Sequence, residues 1–589
     1  MEKIIQRRQN PGAVPAALRG AAIHPLLAQI YVSRGITSPA ELALQLAHLH
    51  PPEQLLNVDK AANMLADALA SGLKIVVVGD FDADGATSTT LAVSVLKAFG
   101  ATAVDYLVPN RFEYGYGLTP EIVALAQRKS PQIIITVDNG ISSIEGVEAA
   151  RAGGIATLIT DHHLAGKELP RADIIVNPNQ AGCTFPSKNL AGVGVIFYVM
   201  LALRAELRRR KWFEAQGIVE PNLAEYLDLV ALGTVADVVP LDRNNRILVA
   251  QGLARIRAGK ARPGILALLQ IASRNYRTVV ASDLGFTVGP RLNAAGRLDD
   301  MSIGIECLLS DGVPAAAELA AHLQTLNQDR RVIEQGMQRE AEAALDALEL
   351  REDTAPAVAI TLYQGDWHQG VIGILASRVK DRMHRPTIVF ADGDPGQIKG
   401  SARSIAGIHI RDILDAVATR HPGLILKFGG HAMAAGMSMN KDSYGRFAQA
   451  FLEEVGRHIE DVNLQAVIES DGELAEADFD LALATELRFA GPWGQHFPEP
   501  IFDGEFRLVQ QRIVGEKHLK LVLSPVGSSL LIDAIAFNVD LSIWPDESIE
   551  SAVLAYRLDV NEFRGQRSLQ LMVEHITPIA PRNPRNNTA

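Results

Sequence analysis

Five short apolar runs constrain the fold of this chain more than any other feature: Lys74–Val78, Ala103–Val108, Gln132–Val137, Ala156–Thr160 and Asp173–Val176. Each is rich in Ile, Val or Thr, and helix-compatible segments lie between several of them, at Thr87–Phe99, Pro120–Arg128 and Ser143–Ala152. Alternation of strand and helix predicts a doubly wound, mostly parallel sheet. Strands that are apolar along their whole length, instead of every second residue, fit a sheet covered on both faces.

At 589 residues the chain is too long for one core, so three or four domains are expected. Residues 1–50 are mixed and turn-rich. Val313 to Leu350 is rich in Ala, Leu, Glu, Gln and Arg, which predicts one helix reaching on the order of 50 Å. A second α/β unit follows, with strands near Val358–Leu362, Thr387–Phe390 and Ile398–Ala402. From about Leu464 the chain reads as β-runs joined by turns, a pattern that suits a small barrel of the OB type. The end, PRNPRNNTA, reads as disordered.

Bulk properties exclude several classes. No apolar run is long enough to span a bilayer, and the start, MEKIIQRRQNPGAVP, lacks the apolar core of a secretory signal. Two cysteines, Cys183 and Cys307, cannot build a disulfide framework or a cysteine-based zinc site, so a reducing cytoplasm is expected. A net charge of −12, from 56 basic and 68 acidic residues, argues against a uniformly basic nucleic-acid-binding surface, although a local basic channel stays open.

The chemistry-bearing residues fall at the ends of the predicted strands. GDFDADG (79–85) places Asp80, Asp82 and Asp84 after the first run, Asp138 and Asn139 follow the third, and Asp161, His162 and His163 follow the fourth. Asp237 closes a further apolar stretch, Tyr226–Ala236. In open parallel sheets, ligand sites form just outside the carboxyl ends of the strands. A lone Asp after a strand is usually a helix cap. Six carboxylates gathered at one edge repel one another and need cations to balance them. Mixed Asp and His ligands suit Mn2+ or Mg2+ better than zinc. A carboxylate bridging two ions about 3.5–4 Å apart would suit phosphoester hydrolysis.

D-x-D-x-D-G also opens a calcium-binding EF-hand loop. That loop needs a glutamate at its twelfth position, where this chain has Leu91, and a helix before it, where this chain has a strand. Calcium sensing is therefore rejected, and no G-x-x-x-x-G-K-[ST] phosphate loop is present to support an ATP-driven motor.

DFDADG (80–85), VDNG (137–140), DHH (161–163) and TVADVVP (234–240) resemble the four motifs of the DHH phosphoesterases. GPRLNAAGR (289–297), HQGVIGILASR (368–378), KGSARS (399–404) and FGGHAMAAG (428–436) are similar to motifs of the family's single-strand-specific 5′→3′ DNA exonucleases, and the match runs along nearly the whole chain. The resemblance implies two α/β domains, DHH and DHHA1, around a central cleft, joined by a long helix and followed by an OB-type barrel. The expected division is an N-terminal segment 1–50, a DHH domain 51–270, a linking region with the long helix 271–352, a DHHA1 domain 353–460, an OB domain 461–580 and a tail 581–589.

By position, the resemblance implies two ions, Mn2+ or Mg2+, held by Asp80, Asp82, Asp84, Asp138, His162 and Asp237. Asp138 is the expected bridge, with Asp80 and Asp82 on one ion and Asp84, His162 and Asp237 on the other. His163 would face the scissile phosphate, and Asp161 would orient a histidine from behind. Phosphate contacts are expected from Arg111, Arg291 or Arg297, Ser401 and Arg403, and from the glycine-rich stretch containing Gly429, Gly430 and His431, with His368 lining the cleft. A pocket for the 5′-terminal phosphate, made of arginine and hydroxyl groups between the two α/β domains, would set the polarity. The barrel would add affinity along the strand; Phe502, Phe506 and Phe563 are available there, with core packing expected for most of them. The resemblance implies hydrolysis of single-stranded DNA from a 5′ end in repair and recombination, beside a single-strand-binding protein and a helicase. Two other readings are a phosphoesterase of short oligonucleotides, cyclic dinucleotides or pyrophosphate, which would not need the C-terminal β-domain, and a catalytically silent nucleic-acid-binding scaffold, which the complete set of acids and histidines disfavours.

Overall fold

The computed structural model of the chain describes residues 3–9, 12–110, 114, 117–349, 358–459, 464–563 and 565–579. These divide into two compact units, Arg7–Leu326 with Glu469–Ala589, and Met1–Gln6 with Asn327–Ile468. Arg111 and the tail 581–589 lie outside the described residues, as does the side chain of Phe563.

In the larger unit the five apolar runs form β1 (Ile75–Gly79), β2 (Val104–Leu107), β3 (Ile133–Val137), β4 (Ala156–Thr160) and β5 (Ile174–Val176). All neighbours pair in parallel, in the order β2-β1-β3-β4-β5. Each residue of β1 and β3 is buried, and alternate residues feed opposite faces. Ile75 and Val77 join the core made with the helices Val58–Ala70, Ala83–Ala98 and Gly192–Arg209. Val76 and Val78 join Ile122, Ile134 and Val147 on the other face. That two-sided burial explains the uninterrupted apolar runs.

The helix after β1 starts at Ala83, four residues earlier than its apolar pattern suggests. Asp82 is the reason: its Oδ1 accepts the Gly85 N–H at 3.0 Å and caps the helix. The cap draws Asp84 into the first helical turn.

The smaller unit carries β6 (Ile360–Tyr363), β7 (Thr387–Asp392), β8 (Gln397–Arg403), β9 (Lys427–Gly430) and β10 (Ala434–Asn440), in the order β9-β10-β8-β7-β6. β6 and β7 are parallel and the other pairs antiparallel. The last two strands carry too many glycines to read as strands in sequence, and FGGHAMAAG proves to be their hairpin. Gly430, at φ +143°, opens that turn. The helix Val313–Glu349 is continuous over 37 residues, and the boundary between the units falls inside it. In the smaller unit, Glu334 on this helix pairs with Arg330 and with Arg378, and Glu340 accepts the Trp367 indole N–H at 2.6 Å.

The C-terminal strands, which belong to the larger unit, are β11 (Phe502–Val514), β12 (His518–Pro525), β13 (Ile532–Ala536), β14 (Ser551–Phe563) and β15 (Gln566–Pro578). They close into a barrel ordered β11-β12-β13-β15-β14, with β13 and β15 parallel. This is a five-stranded barrel of the OB type. Phe502 and Phe506 are buried in it against Tyr556, which gives both a packing role.

Candidate metal centre

The direction of strand addition reverses between β1 and β3, so their carboxyl ends border the crevice where open α/β sheets place ligands. Asn139 Nδ2 ties the two ends together, donating to Val78 O at 3.1 Å and Val137 O at 2.9 Å. Asp138 N–H donates to Thr160 O at 3.1 Å, fixing β3 to β4 just before the acids. Asp138 itself sits at φ +62°, a conformation uncommon for a residue with a side chain and tolerated best by Asn and Asp.

Three sets of side chains converge here, each offering one ligand atom within 4.8 Å of the others: Asp80, Asp82 and Asp138; Asp84, His162 and Asp237; and Asp138, His162 and His163. His162 Nε2 lies 3.1 Å from Asp138 Oδ1 and 3.5 Å from Asp237 Oδ2. All six predicted ligands are thus gathered in one place, with Asp138 in the first and third sets and beside His162 of the second. The donors are carboxylate oxygens and imidazole nitrogens without thiolate, a set that fits Mn2+ or Mg2+.

The crowding is visible in the acidities. Burial, then the charge of Asp82, raises the Asp84 carboxyl to about 7, although the Gly192 and Val193 amides donate to it at 2.6 and 3.0 Å. Asp138 and Asp237 are raised well above the carboxylate range, by burial and then by Asp84 and the other aspartates. A carboxylate that resists ionisation among its own kind is waiting for a cation.

Asp161 behaves in the opposite way. Its Oδ1 accepts the His162 and His163 amides and the His163 Nδ1 at 2.7, 3.1 and 2.7 Å, and its Oδ2 accepts the Ile141 amide at 2.9 Å. Burial would raise this carboxyl, but the His163 bond and the imidazole charges outweigh it and hold it at about 2. Burial would likewise lower His163, but Asp161 and the surrounding acids draw it up to about 9. With its oxygens engaged by these donors, Asp161 fixes the orientation of His163.

Sequence reasoning missed the residues that let these acids crowd together. A Cβ on Gly192, at the start of the helix Gly192–Arg209, would stand 2.5 Å from Asp138 Cβ and 2.7 Å from its Oδ1. Asn293, inside GPRLNAAGR, accepts the Ala83 N–H at 2.8 Å and steadies the loop bearing Asp80 and Asp82. The paired glycines of AGVGV at a helix start were the available signal for the first. For the second there was only its place inside a motif.

The predicted phosphate contacts separate. Arg291 is buried, donating to Thr287 O at 2.5 Å and Gln324 Oε1 at 2.8 Å, while Arg297 closes the helix Gly289–Leu298 and is partly exposed. In the smaller unit, Ser401 and Arg403 lie on β8, with Arg403 donating to Ser401 Oγ at 3.1 Å. Gly373, at the start of the helix Ile372–Met383, lies against both, since a Cβ there would be 2.9 Å from Ser401 Oγ and 3.0 Å from Arg403 Nη2. β8 pairs with β10, so the Gly429–Gly430–His431 hairpin belongs to the same end of this sheet as Arg403. His368 Nδ1 accepts the Gly370 amide at 3.1 Å, one turn before that helix.

Residues 74–234 match the model of the DHH family N-terminal domain, residues 356–460 that of the DHHA1 domain, and residues 470–575 that of the RecJ OB domain. The single-stranded-DNA-specific exonuclease RecJ of Escherichia coli (strain K12) is 56% identical over 579 residues, covering 98% of this chain and 100% of the relative. The chain belongs to the RecJ family. The RecJ of Haemophilus influenzae is 52% identical over 98% of the chain. The crystal structure of Thermus thermophilus RecJ in complex with Mn2+ superposes with a TM-score of 0.78 at 28% identity, covering 98% of this chain and 79% of that one. A Mg2+ complex of that protein matches with a TM-score of 0.72. Among the described residues, no helix is long and apolar enough to cross a membrane.

Proposed function

We propose that this protein is a single-stranded-DNA-specific exonuclease that hydrolyses phosphodiester bonds from the 5′ end in repair and recombination. The observation that carries the reading is the convergence of Asp80, Asp82 and Asp138 with Asp84, His162 and Asp237 at the switch point of the sheet. Full-length identity to RecJ exonucleases supports the substrate.

Asp80 and Asp82 would hold one ion, Asp84, His162 and Asp237 would hold the other, and Asp138 would serve both. Two such divalent ions would supply an activated water and offset charge on the transferring phosphoryl oxygens. His163, held by Asp161, faces the phosphate and, when protonated, stabilises developing charge or protonates the leaving 3′-oxygen. Ser401 and Arg403, packed against the start of a 12-residue helix, take the 5′-terminal phosphate, for which hydroxyl, guanidinium and helix N-terminus are matched donors. The barrel adds affinity along the strand. A helicase that exposes single strands and a protein that coats them belong to the same proposal.

The test uses end-labelled single-stranded DNA with and without Mn2+, comparing the natural protein with Asp82→Ala. Release of 5′ nucleotides by the former alone, and only with metal, is expected. Absence of cleavage in Mn2+ sinks the reading, and cleavage confined to very short oligonucleotides replaces it with an oligonucleotide phosphoesterase.

A further inference from the structure

We propose that Phe286 is a base-stacking platform for the substrate strand beside the metal centre, an inference that rests on the single-strand exonuclease reading. Phe286 is 82% exposed, whereas Leu284, Thr287 and Val288 around it are buried. It lies in the single turn of π-helix Leu284–Val288. Such single turns inside helices are frequent at functional sites.

The turn is anchored on both sides. Arg291 Nη1 donates to Thr287 O at 2.5 Å. Gly285 packs on Val235 and Gly289 on Ala236; a Cβ at either would approach those side chains to 3.1 and 3.2 Å. Val235 and Ala236 are the last two residues of the helix Leu227–Ala236, and the next residue is Asp237. The helix that follows the turn reaches the other side of the centre, where Asn293 accepts the Ala83 amide and Gly296 abuts Phe81 O. Phe286 is therefore mounted on a segment that braces both halves of the acid cluster.

A second apolar side chain is held outward at the same helix end. Val238 is 65% exposed and sits at φ +60°, a conformation that β-branched residues avoid. One exposed apolar side chain alone is ordinary. Here there are two, one on a π-turn packed against Val235 and Ala236 and one in a strained backbone directly after Asp237, the proposed metal ligand. An unpaired strand offers a π-face at each base, and stacking on it is tolerant of sequence, as an exonuclease requires.

Steady-state cleavage of a twelve-nucleotide thymidine strand in Mn2+ tests this with the natural protein, Phe286→Ala and Phe286→Trp, alongside calorimetric Mn2+ titration. Expected are a KM raised about tenfold in Phe286→Ala, recovery in Phe286→Trp, and unchanged Mn2+ affinity in both. An abasic residue is then placed at each of the first six positions. One or two positions should penalise the natural protein and add nothing to Phe286→Ala. A natural KM in Phe286→Ala, or equal abasic penalties in both proteins, overturns the proposal. If Phe286→Ala does not fold, absence of any abasic penalty in the natural protein overturns it instead. A natural protein that cleaves abasic and intact strands alike keeps the exonuclease reading and removes this one; a natural protein that cleaves no single strand removes both.

Discussion

Replacing Gly192 by Ala tests whether the metal centre depends on close packing behind the acids. The new Cβ would stand 2.5 Å from Asp138 Cβ, and ordinary van der Waals contact begins at 3.4 Å, so Asp138 or the helix start must yield by about 0.9 Å. The colliding atom is a Cβ, which cannot swing aside as a flexible side-chain tip could. The movement therefore reaches the Asp138 backbone, already at φ +62°. The same displacement lengthens the 2.6 Å bond from Gly192 N–H to Asp84, so all three sets of ligands are disturbed at once. Overpacking of this kind costs about 1–3 kcal/mol of stability, whereas a misplacement of about 1 Å in a reactive constellation costs on the order of 10²-fold in rate. The expected result is a folded protein that melts a few degrees lower, binds Mn2+ more weakly and has kcat reduced about 100-fold. Thermal melting, calorimetric Mn2+ titration and single-strand cleavage measure the three. Gly336→Ala, on an exposed helical position with no atom within 4 Å of the new Cβ, is the matched control. A kcat within threefold of the natural protein at unchanged Mn2+ affinity would refute the reasoning.

Arg403→Ala should lower cleavage of 5′-phosphorylated strands about 10–100-fold, the worth of a charge-assisted hydrogen bond, while leaving Mn2+ affinity alone; equal loss on 5′-hydroxyl strands contradicts it. Asp161→Asn should reduce activity about 10–100-fold with the ligand set intact, and NMR titration of His163 should place its pKa below the present value of about 9. Without metal, the raised pKa of Asp84, about 7 against 3.8 when unshifted, means that stability is highest while this carboxyl is protonated and falls as pH rises from about 4 to 7. Thermal melting across that range should show the fall, and saturating Mn2+ should remove it.

The parallel sheet was legible because a strand buried on two faces has to be apolar throughout, and several such short runs alternate with helical segments. The strand-end acids were legible because the switch-point geometry turns adjacency in topology into adjacency in space. The hairpin of FGGHAMAAG was not, because its glycines offer no side-chain alternation, and its pairing is decided by β8, about 30 residues away in sequence. The early start of the helix after β1 was missed for a related reason: Asp82 is both a cap and a proposed ligand, and the sequence gives no sign that one side chain takes both tasks. Arg291 shows the limit for charged residues. Its identity suggests a phosphate contact, while its burial and its bonds to Thr287 O and Gln324 follow from packing that no local pattern encodes.

The way the acids are held bears on why the centre takes up cations. Asp80 accepts the Phe81 amide, Asp82 the Gly85 amide, and Asp84 the Gly192 and Val193 amides. Backbone amides orient a carboxylate without cancelling its charge, whereas a bidentate arginine would do both and occupy the oxygens that a metal needs. Orientation by neutral donors leaves the mutual repulsion in place, which with burial keeps Asp84 raised despite its two amide bonds, and Asp138 and Asp237 are raised by the same two causes. At neutral pH and above, divalent ions relieve that repulsion, so the energy that opposes folding of the empty site becomes part of the affinity for metal. Asp161 marks the boundary of the design: its partner is an imidazole, its charge is balanced locally, and it orients a neighbour where the others wait for ions.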